Sequence, residues 1–151
     1  METFEYWLGI SESIAVIVSL IAIFIQVRQA RISTESSSYQ SLIDSFAQFQ
    51  LALAQDETLG HIFFTGRKDA TQLSVNDKER FYLICSNYFI FHENLYLQWK
   101  RGALPSDVYE SWRISIRNNI NEPGFKIYWK ELQSEYNVEF KAFMNTLIEG
   151  K

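Results

Sequence analysis

An all-α fold is predicted for this chain, with one N-terminal transmembrane helix continuing into a small cytoplasmic helical bundle of about five helices. Three observations predict it. The stretch "SIAVIVSLIAIFIQV" is apolar and reaches membrane length once its N-terminal flank is added. After it, apolar residues recur every three to four positions, and helix-capping residues punctuate those runs. No alternating strand pattern competes over a comparable length.

Residues 1–30 read as an uncleaved membrane anchor. From Trp7 to Val27 a helix is roughly 31 Å long at about 1.5 Å per residue, which matches a bilayer core. Its strongly apolar residues favour insertion by roughly −3 to −6 kcal/mol, while Glu12 opposes it by about +3 kcal/mol at most. A signal peptide fits poorly, because Glu2 and Glu5 lead the segment and no small-residue cleavage site follows. Arg28 and Arg31 follow the span and no Lys or Arg precedes it. The positive-inside rule therefore places the N-terminus outside and residues 31–151, as an α-helical domain, in the cytoplasm. Trp7, with Tyr6, suits the outer interface, and Arg28 and Arg31 suit the inner one.

At heptad spacing the same segment carries a stripe of small and polar residues. Its members are Glu12, Ala15, Ser19, Ala22, Gln26 and Gln29, continued by Ser33, Ser36 and Gln40. Lipid tails supply no hydrophobic drive for helix pairing, so association in a membrane relies on close backbone approach and interhelical hydrogen bonds. The stripe offers both and predicts a homo-oligomer. A ring of protomers with Glu12, Ser19 and Gln26 facing a wet lumen would form a cation-favouring pore. The plainer alternative is a chance alignment with Glu12 in the headgroup zone. Continuation of the stripe predicts one long helix entering the second domain, softened at Ser36 to Ser38.

The remaining elements follow in order. Tyr39, Leu42, Ile43, Phe46, Phe49 and Leu53 give the first helix a core-facing side. Asp56 caps a short helix ending at Gly66. Ser74 and Asp77 resemble a capping box before a long central helix that ends near Gly102. That helix presents Phe81, Ile84, Cys85, Tyr88, His92, Leu95, Tyr96 and Trp99 on one face and Leu83, Ile90 and Leu97 on another. Pro105 and Ser106 open the next, with Val108, Tyr109, Trp112, Ile116 and Ile120 inward. Pro123 and Gly124 mark a turn or helix start before Phe125, Tyr128, Trp129 and Leu132. Asn137 caps a last helix whose Phe140, Phe143, Met144 and Leu147 face the core.

Charge narrows the function. With 14 Lys plus Arg against 18 Asp plus Glu, no sustained basic field exists of the kind phosphate neutralisation needs, so no nucleic-acid partner is expected. The one cysteine, Cys85, forms no internal disulfide and is expected as a buried thiol, in keeping with a reducing compartment.

The segments "SESIAVIVSLIAIFIQVRQAR", "YQSLIDSFAQF", "LAQDETLGHIFFTG", "LSVNDKERFYL", "FHENLYLQWKRGAL", "SWRISIRN", "NEPGFKIYW" and "VEFKAFMNTLI" occur in the same order as in a large group of uncharacterised bacterial proteins of similar length. The chain resembles them over nearly its whole length. The resemblance implies one N-terminal hydrophobic helix ahead of a small helical domain, hence the bacterial inner membrane, and carries no activity.

Catalytic patterns are sparse. There is no glycine-rich phosphate loop, paired-cysteine metal spacing, HExxH or nucleophile elbow, so no enzyme activity, cofactor or metal is expected. The weak candidates are His61, four residues after Glu57, and His92 beside Glu93 in "FHEN". A histidine on an aromatic helix face is more often a core residue. In layout the chain also resembles small membrane-anchored, HEPN-like accessory proteins of RNA-targeting CRISPR systems, which implies a ring-shaped pore. The HEPN nuclease pattern has four to six residues between Arg and His, whereas Arg80 precedes His92 by twelve and no Arg lies suitably before His61, which speaks against ribonuclease activity.

Trp99, Trp112 and Trp129, near Tyr96, Tyr109 and Tyr128, either fill the core or form an interface with a protein partner. The resulting expectation is a non-enzymatic single-pass membrane protein that self-assembles as a scaffold or oligomeric pore. The alternative is a membrane-tethered sensor or adaptor that binds a protein or a small apolar ligand between its helices.

Overall fold

The computed structural model describes residues 2–150, with side-chain surroundings from Ala15 onward. Its helices are α1 (Glu2–Gln55), α2 (Glu57–Asp69), α3 (Val75–Lys100), α4 (Ser106–Asn119), α5 (Pro123–Leu132) and α6 (Val138–Glu149). Short 3-10 turns at Ala70–Gln72 and Gln133–Glu135 follow α2 and α5, and no strand occurs among the described residues. The chain divides into two compact units, one ending at Ser38 and the other beginning at Tyr39.

The first unit is helix alone. It contains a stretch long and apolar enough to cross a membrane, with mean hydropathy 1.7 over its best window and none of that window buried. Large apolar side chains from Val16 to Val27 are exposed, Phe24 at 69%. The polar groups among them are partly satisfied within the helix. The Ser19 hydroxyl donates to the Ala15 carbonyl at 2.8 Å, which lowers its cost in an apolar surrounding. The helix is continuous through Ser36 to Ser38. Local links brace it on both sides: Thr34 donates to the Ala30 carbonyl, Arg31 Nε to Glu35 at 2.6 Å, and Gln40 to Asp44 at 2.9 Å.

In the second unit the caps fall where sequence chemistry puts them. Asp56 accepts from the Leu59 N–H and Ser74 from the Asp77 N–H, while Pro123 sits in the first turn of α5. Asn137 accepts from Glu139 and Phe140. In addition the Ser74 hydroxyl donates to the Asp77 carboxylate at 2.8 Å, so the box closes through side chains. α2 runs past Gly66 to Asp69 because Gly66 is an interior contact rather than a stop. Asp69 then caps the next turn, accepting from the N–H and hydroxyl of Thr71.

α3 is central. Phe81, Cys85, Tyr88, Phe89, Leu95 and Tyr96 are buried in it and meet Phe125, Tyr128 and Trp129 of α5 and Phe140 of α6. Its second apolar face differs from the expectation. Leu83 and Ile90 are 69% and 46% exposed, Leu97 alone of the three packs half-buried on the core, and Phe89 and Phe91 are buried. Those rings lie beside the main face, so one wide apolar sector serves where two faces were expected.

Helix approach is set by glycine in one place and by aromatic rings in another. A Cβ on Gly66 would lie 2.5 Å from the Phe81 ring, and one on Gly124 would strike the Gly66 carbonyl, so α2 lies tightly against α3 and α5. The end of α1 also lies close to α2, where a Cβ on Gly60 would be 2.8 Å from the Leu53 carbonyl oxygen, but two turns earlier α1 is held off α3 and α4 by whole side chains. Phe46 stacks on Phe91 at 4.1 Å and meets the Trp112 ring edge-on at 5.6 Å.

Candidate functional site

Where rings prop α1 away from its neighbours, a cavity of about 550 Å³ remains. This lies within the range of about 300–1,000 Å³ typical of small-ligand sites. Its apolar wall is Phe46, Phe49, Leu53 and Ala54 of α1, Phe63 and Phe64 of α2, Tyr88 of α3, Trp112 of α4 and Phe125 of α5. Gln50, Ala54 and Phe64 are exposed and form its rim. Arg67, Ser115, Asn119 and the Tyr88 hydroxyl supply the polar groups.

Those polar groups are incompletely paired. Arg67 Nη1 donates to Asn119 Oδ1 at 3.4 Å, and its guanidinium lies 5.8 Å from the ring centres of both Phe63 and Phe64. Its Nε is buried without a hydrogen-bond partner, as is the Tyr88 hydroxyl. Burial pushes the Tyr88 phenol upward, and Asn119, the Arg67 charge and Ser115 act against that shift, which places all four in one electrostatic neighbourhood. Asn119 spends its amide N–H on the Ser115 carbonyl at 2.8 Å. The ion pairs of the described residues are Arg31 with Glu35, Arg80 with Asp77, Lys100 with Glu139 and Arg113 with Glu110; none involves Arg67. An unsatisfied buried donor costs about 1–3 kcal/mol.

The residues singled out from sequence have other surroundings. His92 is 3% exposed, ringed by Tyr88 at 4.6 Å, Phe91 at 5.3 Å, and Phe46 and Trp112 at 6.4 Å. Burial pushes its pKa down to about 3, so it is neutral at physiological pH and unsuited to proton exchange there. His61 is exposed on α2 and is not among the rings around His92. Glu93 accepts the Asn137 backbone N–H at 2.6 Å and is thereby spent on holding α6 against α3. Arg80 is an exposed partner of Asp77 at 3.9 Å. Among the described residues no group of three or more His, Cys, Asp or Glu converges as a metal site would require. Cys85 is buried, and burial pushes its thiol well up.

Along α1, Ala15, Ser19, Ala22, Gln26, Arg28 and Gln29 are exposed, and Arg31 pairs with Glu35. Trp7 and Glu12 lie outside the residues whose side chains are described. Trp99, Trp112 and Trp129 spend their indole N–H groups inside the chain. Trp129 is buried and donates to Asn145 at 2.9 Å, Trp112 to the Tyr39 hydroxyl at 3.3 Å, and Trp99 to Ser106 at 3.2 Å while stacking on Tyr109.

No family model, curated protein or solved structure matches this chain.

Sequence reasoning passed over Arg67, Tyr88, Ser115 and Asn119 as a group. One signal was present: Arg67 has Phe63, Phe64, Ala70 and Thr71 at its i±4 and i±3 neighbours, and no acid. Arg28, Arg101 and Arg117 share that feature, so it does not single out a site.

Proposed function

We propose that this protein is a membrane-tethered helical sensor that binds a small apolar ligand in the cavity beneath α1. The cavity itself carries the reading: about 550 Å³ walled mainly by aromatic and aliphatic side chains, with few polar groups. The apolar residues of α1 supply the tether, since a row of exposed Val, Ile, Leu and Phe needs cover from lipid or protein. The proposed location is the bacterial inner membrane with the helical domain in the cytoplasm. α1 is both the tether and one wall of the cavity, so occupancy is sensed by the same helix that enters the membrane.

The test uses full-length protein in lipid nanodiscs, with octanol as probe and empty nanodiscs as the reference for partitioning. Calorimetry is expected to show saturable binding that Ala54→Trp, which fills the rim, abolishes without lowering the melting temperature. Binding no stronger than to empty nanodiscs overturns the reading.

Self-assembly through the stripe on α1 is a second reading, supported by the exposure of Ala15, Ser19, Ala22, Gln26 and Gln29. The mass of the complex in detergent decides it. A multiple of the protomer mass that Ser19→Leu or Ala22→Leu reduces supports assembly, and a monomer unaffected by either excludes it.

A further inference from the structure

We infer that the ligand is an amphipathic carboxylate, an aliphatic or aryl chain whose anionic head is held by Arg67 and Tyr88. This rests on the sensor reading and adds the chemical class of what is sensed.

The donors decide the head group. Arg67 and Tyr88 both line the cavity, and two of their buried atoms, Arg67 Nε and the Tyr88 hydroxyl, have no close hydrogen-bond partner, with the Asn119 and Ser115 side chains next to the hydroxyl. Tyr88 is 6% exposed, so bulk water does not reach it freely. The nearby Asn119 carbonyl oxygen serves Arg67 Nη1 only at 3.4 Å, a weak bond by its length. Arg67 has no carboxylate partner among the ion pairs of the described residues, although three other arginines do. A ligand carboxylate brings the two acceptor oxygens and the negative charge that this pair lacks, and charge-assisted bonds of this kind are the stronger class. An ammonium group would meet a like charge and offer further donors where acceptors are needed. A neutral alcohol brings one acceptor and no charge.

The rest of the wall decides the tail. The lining is mainly apolar, with Phe46, Phe49, Leu53, Trp112 and Phe125 among it, and Arg67 is its one charged residue. Such a surface takes alkyl or aryl groups and leaves a second charged group unpaired, which excludes dicarboxylates and phosphorylated sugars as fitting ligands. The Phe63 and Phe64 rings beneath the guanidinium hold it by cation–π attraction, and of its N–H groups only Nη1 has a partner, the long bond to Asn119.

The experiment compares octanoate, octanol and octylammonium on full-length protein in zwitterionic nanodiscs, with empty nanodiscs subtracted. Octanoate is expected to bind on the order of 10-fold or more tightly than octanol, and octylammonium more weakly than either. Arg67→Met keeps the apolar stem and is expected to erase the preference for octanoate while octanol still binds. Should Arg67→Met fail to fold, Tyr88→Phe removes one hydroxyl from the same site and is expected to weaken octanoate several-fold and leave octanol unchanged. Octanol binding as tightly as octanoate, or a preference that survives Arg67→Met or Tyr88→Phe, overturns the carboxylate inference and leaves the apolar sensor standing. Binding of none of the three probes overturns both.

Discussion

Gly124 in the first turn of α5 lies against the backbone carbonyl of Gly66 in α2, so closely that no Cβ fits between them. The Gly66 side of the contact is closed as well, by the Phe81 ring and Leu73. Gly124→Ala is therefore expected to lower stability by about 1–3 kcal/mol or more, because backbone must move to admit one methyl group. Gly102→Ala gives the contrast. It meets nothing within 4 Å but holds φ at +73°, so only conformational strain of about 1 kcal/mol is expected. Thermal unfolding of both variants checks the order.

His92 makes stability depend on pH. Its folded pKa lies near 3 against an ordinary 6.5, so between those values the unfolded chain binds a proton that the native fold refuses. Stability gained from this residue is complete above about pH 6.5 and is lost as pH falls toward 3, with a limiting slope of about 1.4 kcal/mol per pH unit. Urea unfolding of the wild type and His92→Phe across this range is expected to differ by that slope. Parallel curves would show that His92 takes a proton without unfolding.

The bond from the Asn137 N–H to Glu93 joins two helices at one cap. Glu93→Ala and Asn137→Ala are each expected to cost about 1 kcal/mol, the first through the lost acceptor and the second through the lost cap of α6. The double variant is expected to cost less than the sum, since both act on the same helix end. Strict additivity in a double-mutant cycle would separate their roles.

Cys85 is fully covered and its thiol is pushed well above the usual range by burial. Thiolate is the reactive form, so a thiol reagent is expected to modify native protein only at the rate of transient opening and unfolded protein at once. Rapid labelling of the folded chain would contradict the burial.

How much of this was legible in sequence follows from the range of each cause. Asp56, Ser74 and Asn137 announce helix starts because a cap acts on N–H groups two or three residues away, and all three do so in the structure, while Pro123 announces one by its fixed φ in the first turn. Gly66 and Gly124 carry the same letter as a turn glycine, yet their role is contact between helices 58 residues apart in the chain. Glu93 presented as a possible catalytic acid for a similar reason. Its neighbours in sequence include His92, while its partner in space is Asn137.

The sequence by itself determined an all-α chain, its helix starts, and an apolar N-terminal helix of membrane length, because periodicity and capping are local. Only the tertiary structure decided that Arg67, Tyr88, Ser115 and Asn119 share one cavity. They lie on three helices, and the space they line exists because glycine draws α2 against α5 while Phe46 holds α1 off α3 and α4. A cavity is a property of what does not meet, and no local pattern in a sequence encodes it.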